Sequence, residues 1–128
     1  MLVLETIVEM LKREGVEFLA CYPATPLIDA AAAGGIRTIV CRQERVGVGI
    51  ADGFSRVNNG KRFGVFCMQY GPGSENAYPG VASAYSDSSP VLVLPLGHNR
   101  DRANVFPHFS SYRGFAGITK YVEDIKFA

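Results

Sequence analysis

The chain is 128 residues long and 48% hydrophobic, which is enough apolar mass for one domain with a sizeable core. Thirteen basic and twelve acidic side chains leave a formal net charge of +1. With no basic run or acidic tail, neither nucleic acid nor an anionic membrane is indicated as a partner, and the longest clean apolar stretch, Val91 to Leu96, is far too short to span a bilayer.

Leu4, Ile7, Val8 and Leu11 recur at i, i+3, i+4 and i+7 and predict a first helix, stopped by Gly15. Glu5, Glu9, Lys12 and Arg13 interrupt the opening apolar residues at helical spacing, so the segment reads as a folded helix rather than a signal peptide. Phe18 to Tyr22 reads as a short apolar strand closed by Pro23. Thr25-Pro26 then reads as an N-cap with proline at the first helical position, opening a helix that ends at Gly34-Gly35. Ile36 to Cys41 is the second strand. A helix from Gln43 to about Val57 exits through Asn58-Asn59-Gly60.

Arg62 to Met68 is the third strand. Helix returns after Gly73 and runs to about Asp87, with Pro79 tolerated only near the first turn. Val91 to Leu96 is the fourth strand, followed by a long polar and aromatic stretch from Gly97 to Gly117, and Ile118 to Val122 is a candidate fifth strand. Strand and helix alternate, and the strands are continuous apolar runs. That pattern predicts an α/β domain: a doubly wound parallel sheet with helices on both faces. It reads as truncated before its last helix and strand, with Glu123 to Ala128 the start of something further. Right-handed crossovers would bring the loops after every strand to one edge.

Cys21, Cys41 and Cys67 are odd in number and lack CxxC spacing. They read as small buried core residues near strand ends, with no metal site, in a reducing cytoplasmic setting. Glu44 stands just past the second strand, where an acidic residue suits the first turn of a helix. The small residues after it, Gly47, Gly49, Ala51 and Gly53, predict close backbone approach, because each interior glycine costs about 1 kcal/mol against alanine. A carboxylate on the ligand edge among such groups is suited to move a proton. Gly71-Pro72-Gly73 is a turn without side chains past the third strand, open to a flat ring and expected within about two strand spacings of Glu44. Gly47-x-Gly49 is no dinucleotide fingerprint, since it lies inside a helix and lacks the spacing. His98 reads as a solvated loop residue, while His108, in Phe106-Pro107-His108-Phe109, is the one suited to face a pocket.

Arg42-x-Glu44, Gly49-x-Ala51-Asp52-Gly53-x-x-Arg56, Gly71-Pro72-Gly73-x-x-Asn76 and Ala84-Tyr85-x-Asp87-x-x-Pro90-Val91 occur in this order. Together they resemble the pyrimidine-binding domain of thiamine-diphosphate enzymes, in the acetolactate-synthase-like group, over nearly the whole chain. The resemblance implies that residues 1–128 are that N-terminal domain, incomplete at the C-terminus. It implies that Glu44 hydrogen-bonds the aminopyrimidine of thiamine diphosphate, driving tautomerisation and ylide formation for attack on a 2-keto acid, with decarboxylation or C–C bond formation following. Pro23, Ala24, Gly71, Pro72, Gly73 and Asn76 would complete the cofactor-binding set, Asn76 lining the ring pocket or a subunit interface. Gln69, Tyr70 and His108 are the candidate substrate pocket.

The resemblance further implies that Mg²⁺ and the diphosphate are bound by a separate domain, in the missing part of the chain or in a partner chain, so that this chain alone is inactive. FAD is permitted in a longer enzyme, and nothing here supports it. A homodimer or homotetramer would form through this domain, with Gly47, Ala51, Ala77 and Val81 presented to the interface. Ala24-Thr25 where paired glycines are expected, Gln43 in place of histidine, the bulk of Gln69-Tyr70 and the lack of a Gln-Glu pair near Phe106 depart from the acetolactate-type pattern. They leave the cofactor role intact. The alternative reading is a non-catalytic α/β dimerisation or binding module of the same descent. A nucleotide-binding oxidoreductase domain is disfavoured by the misplaced glycines.

Overall fold

A computed structural model describes residues 2–125. The elements run α1 (Val3–Arg13), β1 (Phe18–Tyr22), α2 (Thr25–Ala33), β2 (Arg37–Val40), α3 (Glu44–Val57), β3 (Gly64–Met68), α4 (Pro72–Ser86), β4 (Val91–Pro95) and α5 (Ser111–Phe115). The four strands form one all-parallel sheet in the order β2-β1-β3-β4. The chain therefore moves from β1 to one side, then returns past β1 to the other. Because crossovers are right-handed, this reversal places α2 on one face and α3 and α4 on the opposite face. Alternate residues of β1 and β3 serve the two layers. Leu19, Cys21, Val65 and Cys67 pack with Val8, Leu11, Leu27 and Ala31 of α1 and α2. Ala20, Phe66 and Met68 pack with Val48, Ala51, Ala77 and Val81 of α3 and α4. The expected doubly wound α/β architecture is the one observed.

Several local expectations change. Ala24, not Thr25, is the N-cap of α2, since its carbonyl already accepts from Leu27 and Ile28 N–H. Pro79 lies well inside α4, where it leaves the Glu75 carbonyl without its helical donor. The helix persists because Ala77, Val81 and Ala84 on either side of it are buried, and such tertiary packing overrides local propensity. Ile118 to Val122 is no strand: Ile118 and Val122, four residues apart, dock against the α3–α4 core instead of pairing with β4. The continuation expected over Glu123 to Ala128 falls in part outside the described residues, and residues 123–125 form neither helix nor strand.

The face assigned to an interface is also corrected. Gly47, Ala51, Ala77 and Val81 are buried within the chain's own core, between α3, α4 and the sheet. A Cβ on Gly47 would enter the Phe66 ring, so that glycine answers to helix–sheet contact. Gly49 and Gly53 meet nothing within 4 Å and are open. At the opposite end of the sheet, the Ser55 hydroxyl accepts from Gly64 N–H at 2.8 Å and lies 2.6 Å from the Pro90 carbonyl and 3.0 Å from that of Ala51. One buried hydroxyl thus ties α3 to the starts of β3 and β4. Arg56 bonds Asp52 in its own helix and Asp87 at the end of α4, each at 2.9 Å, so these three motif residues are structural.

Candidate functional site

The reversal of strand order lies between β1 and β3, and in such sheets ligands bind beyond the strand C-termini at that point. Four connections reach this edge: Pro23-Ala24 after β1, Cys41 to Gln43 after β2, Gln69 to Gly71 after β3, and Leu96 to His98 after β4.

Glu44 is the first residue of α3 and only 5% exposed. Its burial is specific, because the flanking Gln43 and Arg45 are exposed. Asn76 of α4 donates from Nδ2 to Glu44 Oε2 at 2.5 Å. Gly71 begins the next helix at φ +62° and ψ −120°, a conformation that favours glycine, and Pro72 occupies the first helical position. A Cβ on Gly73 would stand 3.3 Å from Glu44 Oε1 and 2.6 Å from Gln69 Cγ. The turn after β3 and the carboxylate after β2 are therefore adjacent, as expected from the parallel order. Pro23 is exposed on the same edge, while Ala24 is 1% exposed and packed in the α1–α2 core.

A buried carboxylate is an acceptor suited to a protonated ring nitrogen of a flat heterocycle. A side chain at Gly73 would crowd both Glu44 Oε1 and Gln69 Cγ. The residues present therefore suit a pyrimidine ring on chemical grounds.

The three residues assigned to a substrate pocket do not converge. His108 lines a cavity of about 290 Å³ with Gly71, Glu75, Tyr78, Phe109 and Arg113, at the small end of ligand-binding sizes. Gln69 and Tyr70 are outside its wall, as is Glu44. Tyr70 instead lies against His98, with ring centroids 4.1 Å apart and planes tilted by 36°. His98 Nε2 accepts from Phe109 N–H at 3.1 Å, and the Phe109 ring lies so close to Gly71 that a Cβ there would meet it at 2.8 Å. His98 is thus a bracket between two loops and not a solvated residue. Ser74 and Ser111 hydroxyls bond at 2.7 Å and fasten α5 to the same helix. These contacts carry no periodic signal in the sequence; the aromatic density of residues 105–115 was their one visible trace.

The three cysteines are buried, free and close together. Burial first, then the neighbouring Cys21 and Cys41, pushes the Cys67 thiol up to about 12 from an ordinary 9.0. Cys21 and Cys41 are raised for the same leading reason. Such thiols stay protonated and act as core groups. Among the described residues no group of His, Cys, Asp or Glu is placed to hold a metal ion, and no helix is long and apolar enough to cross a membrane.

Comparison with known families matches residues 1–119 to the thiamine pyrophosphate enzyme, N-terminal TPP binding domain. The acetolactate synthase large subunit of Haemophilus influenzae is 38% identical over 94 residues, covering 70% of this chain and 16% of that protein. The large subunit from Lactococcus lactis is 35% identical over 131 residues, covering 95% of this chain and 22% of that protein. A probable acetolactate synthase large subunit of Methanocaldococcus jannaschii is 38% identical over 93 residues, covering 70% of this chain and 15% of that protein. The chain spans about a sixth to a fifth of the length of these relatives.

Proposed function

We propose, from the premise that this chain belongs to the N-terminal TPP-binding domain family of thiamine pyrophosphate enzymes, that it forms the pyrimidine-binding half of an enzyme acting on 2-keto acids. The observation carrying this reading is the buried Glu44 carboxylate facing the bare Gly73 backbone at the switch point of the sheet. Thiamine diphosphate, when bound, supplies the electron sink for cleavage beside a keto carbonyl. Glu44 holds and moves a proton at the ring nitrogen of its aminopyrimidine, beside the Gly71-Pro72-Gly73 turn. Burial of Glu44 keeps water from competing for that proton.

The substrate class is supported by the relatives, which are named acetolactate synthases. The reaction is decarboxylation of the keto acid, alone or with C–C bond formation. Mg²⁺ and the diphosphate belong to a second domain, outside this chain, and the working assembly is a cytoplasmic homodimer or homotetramer. Its contacts use the exposed parts of α3 and α4, including Val46, Tyr78 and Tyr85, in place of the buried residues named from sequence.

Glu44→Gln in the holoenzyme tests the central claim. The amide preserves shape but relays no proton, so cofactor C2 hydrogen–deuterium exchange, read by NMR with cofactor saturating, is expected to fall by about 10² to 10⁴. Exchange at the wild-type rate would reduce Glu44 to a helix-start carboxylate and end this reading.

A further inference from the structure

Asn76 is itself exposed, but its amide is committed to the buried Glu44 carboxylate. It donates to Glu44 Oε2, while Gly73, three residues earlier on the same face of α4, sets no side chain beside Oε1, which a Cβ there would approach to 3.3 Å. The two oxygens of one buried carboxylate thus meet different surfaces of one helix: a donor on one side, bare backbone on the other. This gives the spacing Gly73-x-x-Asn76 a physical meaning, since one turn of helix supplies the bond that holds one oxygen and keeps a side chain off the other.

We infer that Asn76 is a positioning residue: its amide pins Oε2 so that Oε1 is the oxygen turned to the ring. This goes beyond the reading of Glu44 as the proton-moving group and rests on it. Asparagine suits the task chemically. A carboxylate taken out of water needs a hydrogen-bonding partner. An amide donates without adding a charge and without titrating, so the partner stays constant while the carboxylate gains and loses a proton. A lysine or arginine at the same place would neutralise the group it holds.

The test has an arm free of cofactor. In the cofactor-free full-length protein, the hydrogen-bonded Asn76 Nδ2 proton is expected well downfield of its geminal partner, and Glu44→Ala removes that separation. In the holoenzyme with cofactor saturating, Asn76→Ala is expected to lower C2 hydrogen–deuterium exchange by about ten- to a hundredfold, the range a hydrogen bond to a charged group commands. Asn76→Asp keeps the size but sets a second carboxyl against Glu44. Its exchange relative to wild type falls at neutral pH and recovers as pH is lowered, because only the protonated acid donates. A packing role alone would leave that ratio constant with pH. If Asn76→Ala does not fold, Asn76→Asp and the amide signature still decide. Loss of exchange in Glu44→Gln with wild-type exchange in both Asn76 variants overturns the inference and leaves the role of Glu44 standing. Wild-type exchange in Glu44→Gln overturns both.

Discussion

Between α3, α4 and the sheet, glycines let the elements approach closely, whereas residues 97–117 reach the Glu44 end of α4 through a few side chains. In the first region Gly47 stands against Phe66, Gly64 against the backbone of Ala51, and Gly80 against Val48. In the second, Tyr70, His98, Phe109, Ser74 and Ser111 make the connection, and residues 101–110 are all exposed. The difference separates what fixes the carboxylate from what covers its surroundings. A group that must keep its position to fractions of an ångström is rooted in regular elements, and the adaptable part is hung beside it.

The largest stability effect is expected where that close approach is violated. Gly47→Ala forces a Cβ into the Phe66 ring and is expected to cost about 3 kcal/mol, at the upper end for overpacking. Gly49→Ala, two residues on and facing open space, is expected to gain about 0.5 to 1 kcal/mol from helix propensity. Urea unfolding of the two variants reads the contrast directly. Equal changes of the same sign would show that the glycines of α3 share one role, and that close packing does not distinguish them.

Ser55→Ala attacks the same framework from the opposite end. It removes the acceptor of the buried Gly64 N–H and the donor shared by Pro90 and Ala51 carbonyls. An unsatisfied buried amide costs about 1 to 3 kcal/mol, so a loss in that range is expected in denaturant unfolding. Ser55→Thr, which keeps the hydroxyl, should retain the bonds if the extra methyl is accommodated. A Ser55→Ala change below about 0.5 kcal/mol, the range of an uninvolved surface site, would remove the hub from the framework.

Legibility in the sequence divides along the same line. β1 was readable to the residue because Phe18 to Tyr22 is an apolar run between Gly15 and Pro23. Glu44 and the Gly71 turn were readable as neighbours because a parallel sheet delivers every strand end to one edge. Pro79 misled because local propensity ignores the burial of Ala77 and Val81 on both flanks. Ile118 to Val122 misled because an apolar run of that length serves equally as a strand or as a strap with two anchors. His98 was hidden altogether: its partners, Tyr70 and Phe109, lie 28 residues before and 11 after it, and neither distance belongs to any helical or strand period.

Alkaline stability sharpens the comparison within the core. Cys67 titrates near 12 in the folded chain against an ordinary 9.0, so its protonated form is favoured by folding. A raised folded value gives stability that is complete below 9 and lost as pH climbs toward 12. Within that window the loss attributable to this thiol is about 1.4 kcal/mol per pH unit. Cys67→Val keeps the packing and removes the titration, so the wild-type-minus-variant difference should fall by about that amount from pH 9.5 to 10.5. A difference constant over the interval would mean that the thiol ionises as readily folded as unfolded.

The smallest global effect is expected in the segment after β4. His98→Phe keeps a ring against Tyr70 but removes the acceptor for Phe109 N–H. Because that contact lies outside both core clusters, the loss of overall stability should be about 0.5 to 1.5 kcal/mol, the net worth of one hydrogen bond. The local readout should be larger than the global one. Amide exchange at Phe109 is expected to accelerate about tenfold, since a bond worth about 1.4 kcal/mol shifts an opening equilibrium by that factor. Amides in β1 and β3 should be protected as before, because they open only with the whole sheet. Acceleration confined to the segment would establish it as a separately opening cover on the α4 end. Equal acceleration in the sheet would mean instead that His98 belongs to the framework that holds Glu44, and that the two regions are mechanically one.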